Sequence, residues 1–281
     1  MALLAPSIET LRRKLTRSLA QRGLLSTLRR CVSRPLQALV SVARSILPHH
    51  RRIQRQELDF DRQCNVHTQA DRDPGWMAAI TSPNWMHGIG YAPVPFADLR
   101  TVLNQLDLCW KDYTFIDLGA GKGRALFVAA EFPFHHVTGV EYSPRLAAAL
   151  QSNISSYRNL RQRCWSIEGI LGDAAEYAFP TAPLVLFFHH PFEAVVFRQV
   201  TERLEASLAT HPRRIIAIYY DPKCEQVFAE SASFQRLLQA PAQRGSTIAS
   251  WVVYEANPAL HSNPPSCAAD HTAVSSVEAK S

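Results

Sequence analysis

Residues Thr114 to Arg124 read Thr-Phe-Ile-Asp-Leu-Gly-Ala-Gly-Lys-Gly-Arg. Phe115 and Ile116 favour extended backbone. Glycines then fall at alternate positions, Gly119, Gly121 and Gly123, before a helix-forming run from Ala125 to Glu131. This pattern predicts a buried strand, a tight glycine turn and a helix. Lacking a Cβ, the turn can take positive φ and let a ligand lie against bare backbone. The helix N-terminus behind it offers N–H groups and a partial positive charge, so a cofactor with an anionic end suits it.

The glycine spacing bears on which cofactor. A dinucleotide fingerprint wants Gly-x-Gly-x-x-Gly after the strand. Here the third glycine comes one residue early, and Arg124 holds the expected glycine position. An acid, Asp117, also precedes the first glycine. A carboxylate at a pyrophosphate repels its ligand, but it suits one carrying an amino group or a sulfonium charge. Asp-Leu-Gly-Ala-Gly-Lys-Gly, from Asp117 to Gly123, resembles motif I of the class I S-adenosylmethionine (SAM)-dependent methyltransferases. The resemblance implies S-adenosyl-L-methionine as cofactor, held along Asp117, Gly119, Ala120, Gly121 and Gly123. The alternative is an ordinary strand-to-helix turn whose glycines serve packing.

With 281 residues, 47% of them hydrophobic, the chain is long enough for one well-cored domain with appendages. No uninterrupted apolar run reaches the ~20 residues that span a bilayer. Six scattered cysteines without a Cys-x-x-Cys pair suggest neither a disulfide framework nor a zinc site. No metal is expected, and the compartment is expected to be the reducing cytoplasm. The net charge of +6 is unevenly placed. Residues 1–56 carry 12 Lys/Arg and one acid, Glu9, which leaves 18 basic against 23 acidic residues for the remainder.

The basic arm, 1–56, shows amphipathic helical spacing. Ile8, Leu11, Leu15 and Leu19 alternate with arginines, and Leu36, Leu39, Val40, Ala43, Ile46 and Leu47 form a second stripe. It can pack on the body, lie on an anionic membrane surface, or touch nucleic acid; it also resembles an organelle transit peptide. Residues 57–256 form the expected catalytic domain, and 257–281, rich in Pro, Ser and Ala, read as a disordered tail. Within the domain, Asp59 begins a polar segment, and Asn84 to Pro93 read as an ordered loop that folds over the cofactor or covers the edge of the core. His87 and Tyr91 are its pocket candidates. Phe96 to Leu106 reads as a helix.

Beyond the glycine turn, strands are expected at 136–141, 165–171, 184–188 and 214–220, with helices from Pro144 and across 193–208. The runs 234–238 and 248–254 leave no room for a crossover helix between them, so they must pair antiparallel. The expected fold is therefore α/β: a Rossmann-like, mostly parallel methyltransferase sheet of seven strands with a closing antiparallel hairpin.

Ligands of such sheets bind beyond the carboxyl ends of the strands, where the strand order reverses. Asp117, Glu141, Asp173, His190 and Asp221 all fall at those ends. Glu141 can accept both hydroxyls of a ribose; the alternative is a solvated charge. Asp173, with Ala174, resembles the family's acid and backbone N–H that meet adenine; the alternative is a turn or helix cap. In His189-His190-Pro191-Phe192, many amino-group methyltransferases have Asn or Asp, Pro, Pro and an aromatic. The resemblance implies that His190 orients or deprotonates the methyl acceptor and that Phe192 walls its pocket, with Tyr91 from the preceding loop; the alternative for His190 is a helix cap. An imidazole cannot copy an amide's paired donor and acceptor, which leaves both O- and N-targets open. The stretch 84–255 is similar, more distantly, to Dot1-like protein-lysine methyltransferases through the loop with Tyr91 and Pro93. Methyl transfer from SAM to a protein or small-molecule acceptor is the first reading. A nicotinamide-dependent oxidoreductase and a non-catalytic SAM-binding or membrane-surface module are the others.

Overall fold

The computed structural model describes residues 12, 16, 48–70, 80–240 and 250–256. The expected helices of the arm before residue 48, the start of the last strand at Ile248 and the tail from 257 lie outside these residues, save that Arg12 and Thr16 are helical.

The first described element is a helix, α1 (Pro48–Cys64), which opens on proline at a first-turn position. Its buried residues, Glu57, Phe60, Asp61 and Cys64, recur at helical spacing. The polar segment expected from Asp59 is thus its last turns, and one helix carries residues on both sides of position 56. A further helix, α2 (Phe96–Asn104), stops two residues short of Leu106 and buries Leu99, Val102 and Leu103. Arg100 on α2 makes a two-pronged ion pair with Glu131, at 2.7 and 2.8 Å.

The sheet follows. Strand β1 (Thr114–Leu118) leads through the glycine turn into α3 (Arg124–Ala129). Then come β2 (His136–Glu141), α4 (Pro144–Ser156), β3 (Ile167–Leu171), β4 (Leu184–His189), α5 (Ala194–Thr210), β5 (Ile215–Tyr220), α6 (Gln226–Ala229), β6 (Gln235–Gln239) and β7 (Trp251–Ala256). Trp165, expected in the third strand, stands outside it and is exposed. The strand order is β3-β2-β1-β4-β5-β7-β6. The first five strands are mutually parallel, and β7 runs antiparallel between β5 and β6. This is the Rossmann-like methyltransferase sheet with its reversed closing strand.

Strand alternation sorts the core onto two faces. Phe115, Val185 and Phe187 pack with Leu103, Leu126 and Phe127 on one side. Ile116, Leu186 and Phe188 pack with Phe197, Tyr219 and Phe228 on the other. Cys64, Cys164 and Cys224 are buried free thiols, whereas Cys109 is disulfide-bonded, a pairing its isolated position in the sequence does not announce. Among the described residues, no helix is long and apolar enough to cross a membrane.

Candidate active site

The strand order reverses at β1, with β2 on one flank and β4 on the other, so a crevice opens beyond the carboxyl ends of β1 and β4. The glycine turn forms its floor. Gly119, Gly121 and Gly123 have φ of +93°, +57° and +90°, the left-handed region that other residues avoid. Contacts differ among them. A Cβ on Gly119 would stand 2.3 Å from that of Pro191, and one on Gly121 would stand 2.1 Å from the Tyr91 ring. A Cβ on Gly123 would meet Leu150 at 2.4 Å, so Gly123 faces α4 and serves helix packing, away from the crevice.

Within the turn itself, ahead of the helix N-terminus, most N–H groups are already bonded. Gly119 and Ala120 donate to the Val140 carbonyl at 2.9 and 3.1 Å, and Gly123 donates to Ala120 at 2.8 Å. Gly121 donates to Glu141 Oε2 at 2.8 Å. The end of β2 takes three of these four donors because it runs directly alongside the turn. The turn therefore offers carboxylates to the crevice rather than amides.

Two acids stand there. Asp117 is buried within β1, and burial together with the Glu141 charge pushes its carboxyl well above the usual range. Glu141 is buried at the end of β2, and burial pushes it to about 7 despite N–H bonds from Gly121 and Ser143. Among the described residues, no basic side chain pulls either group back down. Two buried carboxyls without a cation are costly for a fold, and a cationic, hydroxyl-bearing ligand would offset that cost.

This arrangement sets a pH dependence. With its folded pKa near 7 against an ordinary 4.5, Glu141 holds its proton more tightly in the fold than in the unfolded chain. Its contribution is complete below pH 4.5 and is lost as the pH rises through about 7. The ligand-free protein should thereby lose roughly 3 kcal/mol between pH 5 and pH 8. Glu141→Gln should remove that slope from urea-unfolding curves; equal slopes in both proteins would contradict it.

Beside the turn lies a narrow recess, open to solvent, lined by Val140, Tyr142, Asp173, Ala174, Phe192 and Val196, among others. The expected loop covers it. Gly88 bridges to Phe192, Ile89 donates to the Pro191 carbonyl at 2.9 Å, and Glu193 donates its N–H to His87 at 2.8 Å. His87 also meets the Glu193 carboxylate at 3.3 Å. Gly88 is required where it stands, because a Cβ would strike the Tyr142 ring. Ser82 and Asn84 donate to Asp173 Oδ2, Asn84 at 2.9 Å, while Ala175 N–H reaches Oδ1 at 2.8 Å. Asp173 is thus held by the covering segment and by its own turn at once. Neither Ser82 nor Tyr142 stands out in the sequence, since each sits in an irregular stretch whose partners are remote.

Tyr91 lies over Gly121 and donates its hydroxyl to the Thr68 carbonyl at 2.6 Å. Lys122 Nζ, below that ring, bonds the Gln69 carbonyl at 2.9 Å. Behind them, Arg124 is buried and reaches Thr68 Oγ1 at 2.6 Å, Glu57 and Asp61. Asp61 in turn accepts the Thr68 N–H and hydroxyl at 2.8 and 2.6 Å. So α1 and the segment after it back the glycine turn. The sequence signals this only through a buried-helix arginine in need of acids.

The β4 end is strained. His190 has φ +41°, and Asp221, at the end of neighbouring β5, has φ +51°. His190 Nδ1 lies 3.2 Å from the Tyr219 hydroxyl. Burial lowers its pKa from the usual 6.5, so at neutral pH it is a neutral imidazole. Its neighbour His189 is pushed down to about 4 by burial, and its Nδ1 is enclosed without a partner. Phe192 is buried, packs on Phe197 at 5.4 Å and lines the recess. Asp117, Gly119, Gly121, Glu141 and Tyr91 thus meet at the turn, Asp173, Ala174 and Phe192 meet at the recess, and His190 stands towards β5.

These residues fit S-adenosylmethionine on two counts. A buried carboxyl with no cation beside it among the described residues answers its charge, and the apolar lining of the recess, Val140, Ala174, Phe192 and Val196, suits the faces of a planar base. No family model matches the chain, and no curated protein matches it. Among solved structures it is similar to the ribosomal protein L11 methylase of Lactobacillus delbrueckii subsp. bulgaricus, at 17% identity and a TM-score of 0.43 over 59% of this chain and 81% of that one. It is also similar to the glycopeptide N-methyltransferase MtfA complexed with SAM, at 15% identity and a TM-score of 0.42 over 58% and 93%. An RNA methyltransferase from Salinibacter ruber in complex with S-adenosyl-L-homocysteine has 14% identity and a TM-score of 0.40 over 59% and 95%. The fold assignment rests on the strand order and pairing of the chain itself.

Proposed function

We propose that the chain catalyses methyl transfer from S-adenosyl-L-methionine to a nitrogen or oxygen acceptor held beside His190. The observation that carries this reading is the pair Asp117 and Glu141, two buried carboxyls at the glycine turn that no basic side chain among the described residues neutralises. When bound, SAM supplies a sulfonium methyl already activated for displacement. Asp117 receives the cationic amino acid end. Glu141 accepts a ribose hydroxyl at the capacity its backbone N–H bonds leave open, since an ionised carboxylate has about four acceptor sites. Asp173 takes an amino N–H in exchange for Ser82 or Asn84, and Val140, Tyr142 and Ala174 wall the base. Tyr91 closes the turn and excludes water. His190, neutral at physiological pH, orients the acceptor or takes its proton, and Phe192 walls the space beneath it. Most of the acceleration comes from holding the reactants in line in a dry site.

Calorimetry separates this reading from a nicotinamide enzyme. S-adenosylhomocysteine should bind saturably with release of a proton from Glu141, and NAD should not bind. Binding of NAD alone would overturn the proposal. Transfer of labelled methyl to any lysate component should stop in His190→Ala while S-adenosylhomocysteine affinity holds; an unchanged rate removes His190 from the chemistry.

A further inference from the structure

We propose that the segment 158–165, together with the outward face of α1, seats the protein on an anionic phospholipid surface. This segment joins the end of α4 to the start of β3, so it lies at the end of the sheet opposite the cofactor crevice. It reads Arg-Asn-Leu-Arg-Gln-Arg-Cys-Trp. Leu160 is fully exposed and Trp165 is 79% exposed, the two largest apolar exposures among the described residues. Arg158, Arg161 and Arg163 are exposed around them.

The segment is built, not loose. Tyr157 is buried at its start and Cys164 near its end. Arg163 and Cys164 both donate N–H to the Ala130 carbonyl, at 2.8 and 3.0 Å, and Arg158 N–H bonds the last carbonyl of α1 at 2.9 Å. Asn159 folds the tip by accepting the Arg161 N–H at 2.9 Å. A leucine is therefore held out into water by a turn whose base is fixed.

The face of α1 that points away from the body repeats the pattern. Arg51, Arg55, Leu58 and Arg62 are all exposed and recur every three or four residues. A groove rimmed by Gln56, Asp59 and Gln63 on α1 and by Asn159 and Arg161 on the turn joins the two. The acids along it are engaged: Asp59 pairs with Arg62 at 3.2 Å, and Glu131 with Arg100. The sequence leading into α1 adds nine further Lys/Arg against Glu9.

Charge and chemistry favour lipid over nucleic acid. Arginines complement anionic headgroups, tryptophan prefers the headgroup boundary, and exposed leucines gain by entering the acyl region. Trp165 is the one aromatic ring the segment exposes, whereas Leu160 and Leu58 offer none on which a base can stack. So seated, the protein turns its crevice away from the bilayer towards water-borne acceptors.

The test uses the full chain and sedimentation with phosphatidylcholine vesicles with and without phosphatidylglycerol. Binding should require the anionic lipid and weaken with salt. Leu160→Ser/Trp165→Ser and Arg161→Glu/Arg163→Glu should each lower partitioning about tenfold or more, with unchanged circular dichroism. The Trp165 emission, read as the difference from Trp165→Phe, should shift to the blue on the vesicles and be quenched by brominated lipid. Equal binding by both double variants, equal binding to neutral vesicles, or no vesicle binding at all would overturn the proposal. Binding of a single-stranded RNA oligonucleotide in preference to the vesicles would overturn it in favour of nucleic acid.

Discussion

Alanine in place of Arg124 should destabilise the fold by about 3–5 kcal/mol, which is the range for stranding a buried charge by removing its partner. Arg124 is 2% exposed and is held by Glu57, Asp61 and Thr68. Its loss leaves two carboxyls of α1 enclosed without a cation, and burial already raises the Glu57 carboxyl above its ordinary range. Part of the cost should return in the triple variant Arg124→Met/Glu57→Gln/Asp61→Asn, which removes the charges on both sides. Urea unfolding measures both. A loss under about 1 kcal/mol for Arg124→Ala would mean that the pairing contributes little net stability, as exposed pairs do.

The second expectation concerns Asp117→Asn and has two signs. The side chain keeps its shape and loses its charge. Affinity for S-adenosylhomocysteine should fall about 10- to 100-fold, as expected when a charge-assisted hydrogen bond is lost. Stability of the ligand-free protein should rise at neutral pH, because a carboxyl held well above its usual range by burial no longer has to ionise there. Calorimetry reads the first effect and thermal unfolding at pH 7.5 the second. A variant that binds as well as the wild type removes Asp117 from the cofactor site. A variant that loses affinity together with stability would instead assign it a structural role. Opposite movement of binding and stability is the mark of a residue kept for function.

Much of this was legible in the chain. Phe115 to Gly123 specifies strand and turn through local chemistry, and the strand–helix alternation specifies a parallel sheet. The lack of room between 238 and 248 forces the last pair antiparallel. Glu141 and Asp117 could be placed because strand ends are marked by the switch from apolar to polar residues. Other features were not legible, for one shared reason. The Arg124–Glu57 pair spans 67 positions and the Ser82–Asp173 contact 91. No periodicity links such residues, and only the folded chain brings them together. The bonding of the turn's own N–H groups is hidden on similar grounds: those of Gly119, Ala120 and Gly121 go to the end of β2. The third strand was started early at Trp165 because an aromatic β-former reads as strand even when the sheet has not yet begun.

The clasp between α1 and the glycine turn bears on how the protein can be trimmed. A shortened version starting at the covering loop, near residue 80, would keep all seven strands and every motif by which the sheet is recognised. It would also discard Glu57, Asp61 and the Thr68 carbonyl, and so leave Arg124 and the Tyr91 hydroxyl without their anchors. Such a fragment would be a sheet with an unbraced cup. The smallest unit that keeps the proposed cofactor site braced therefore reaches back into the amino-terminal quarter of the chain, well before the first strand.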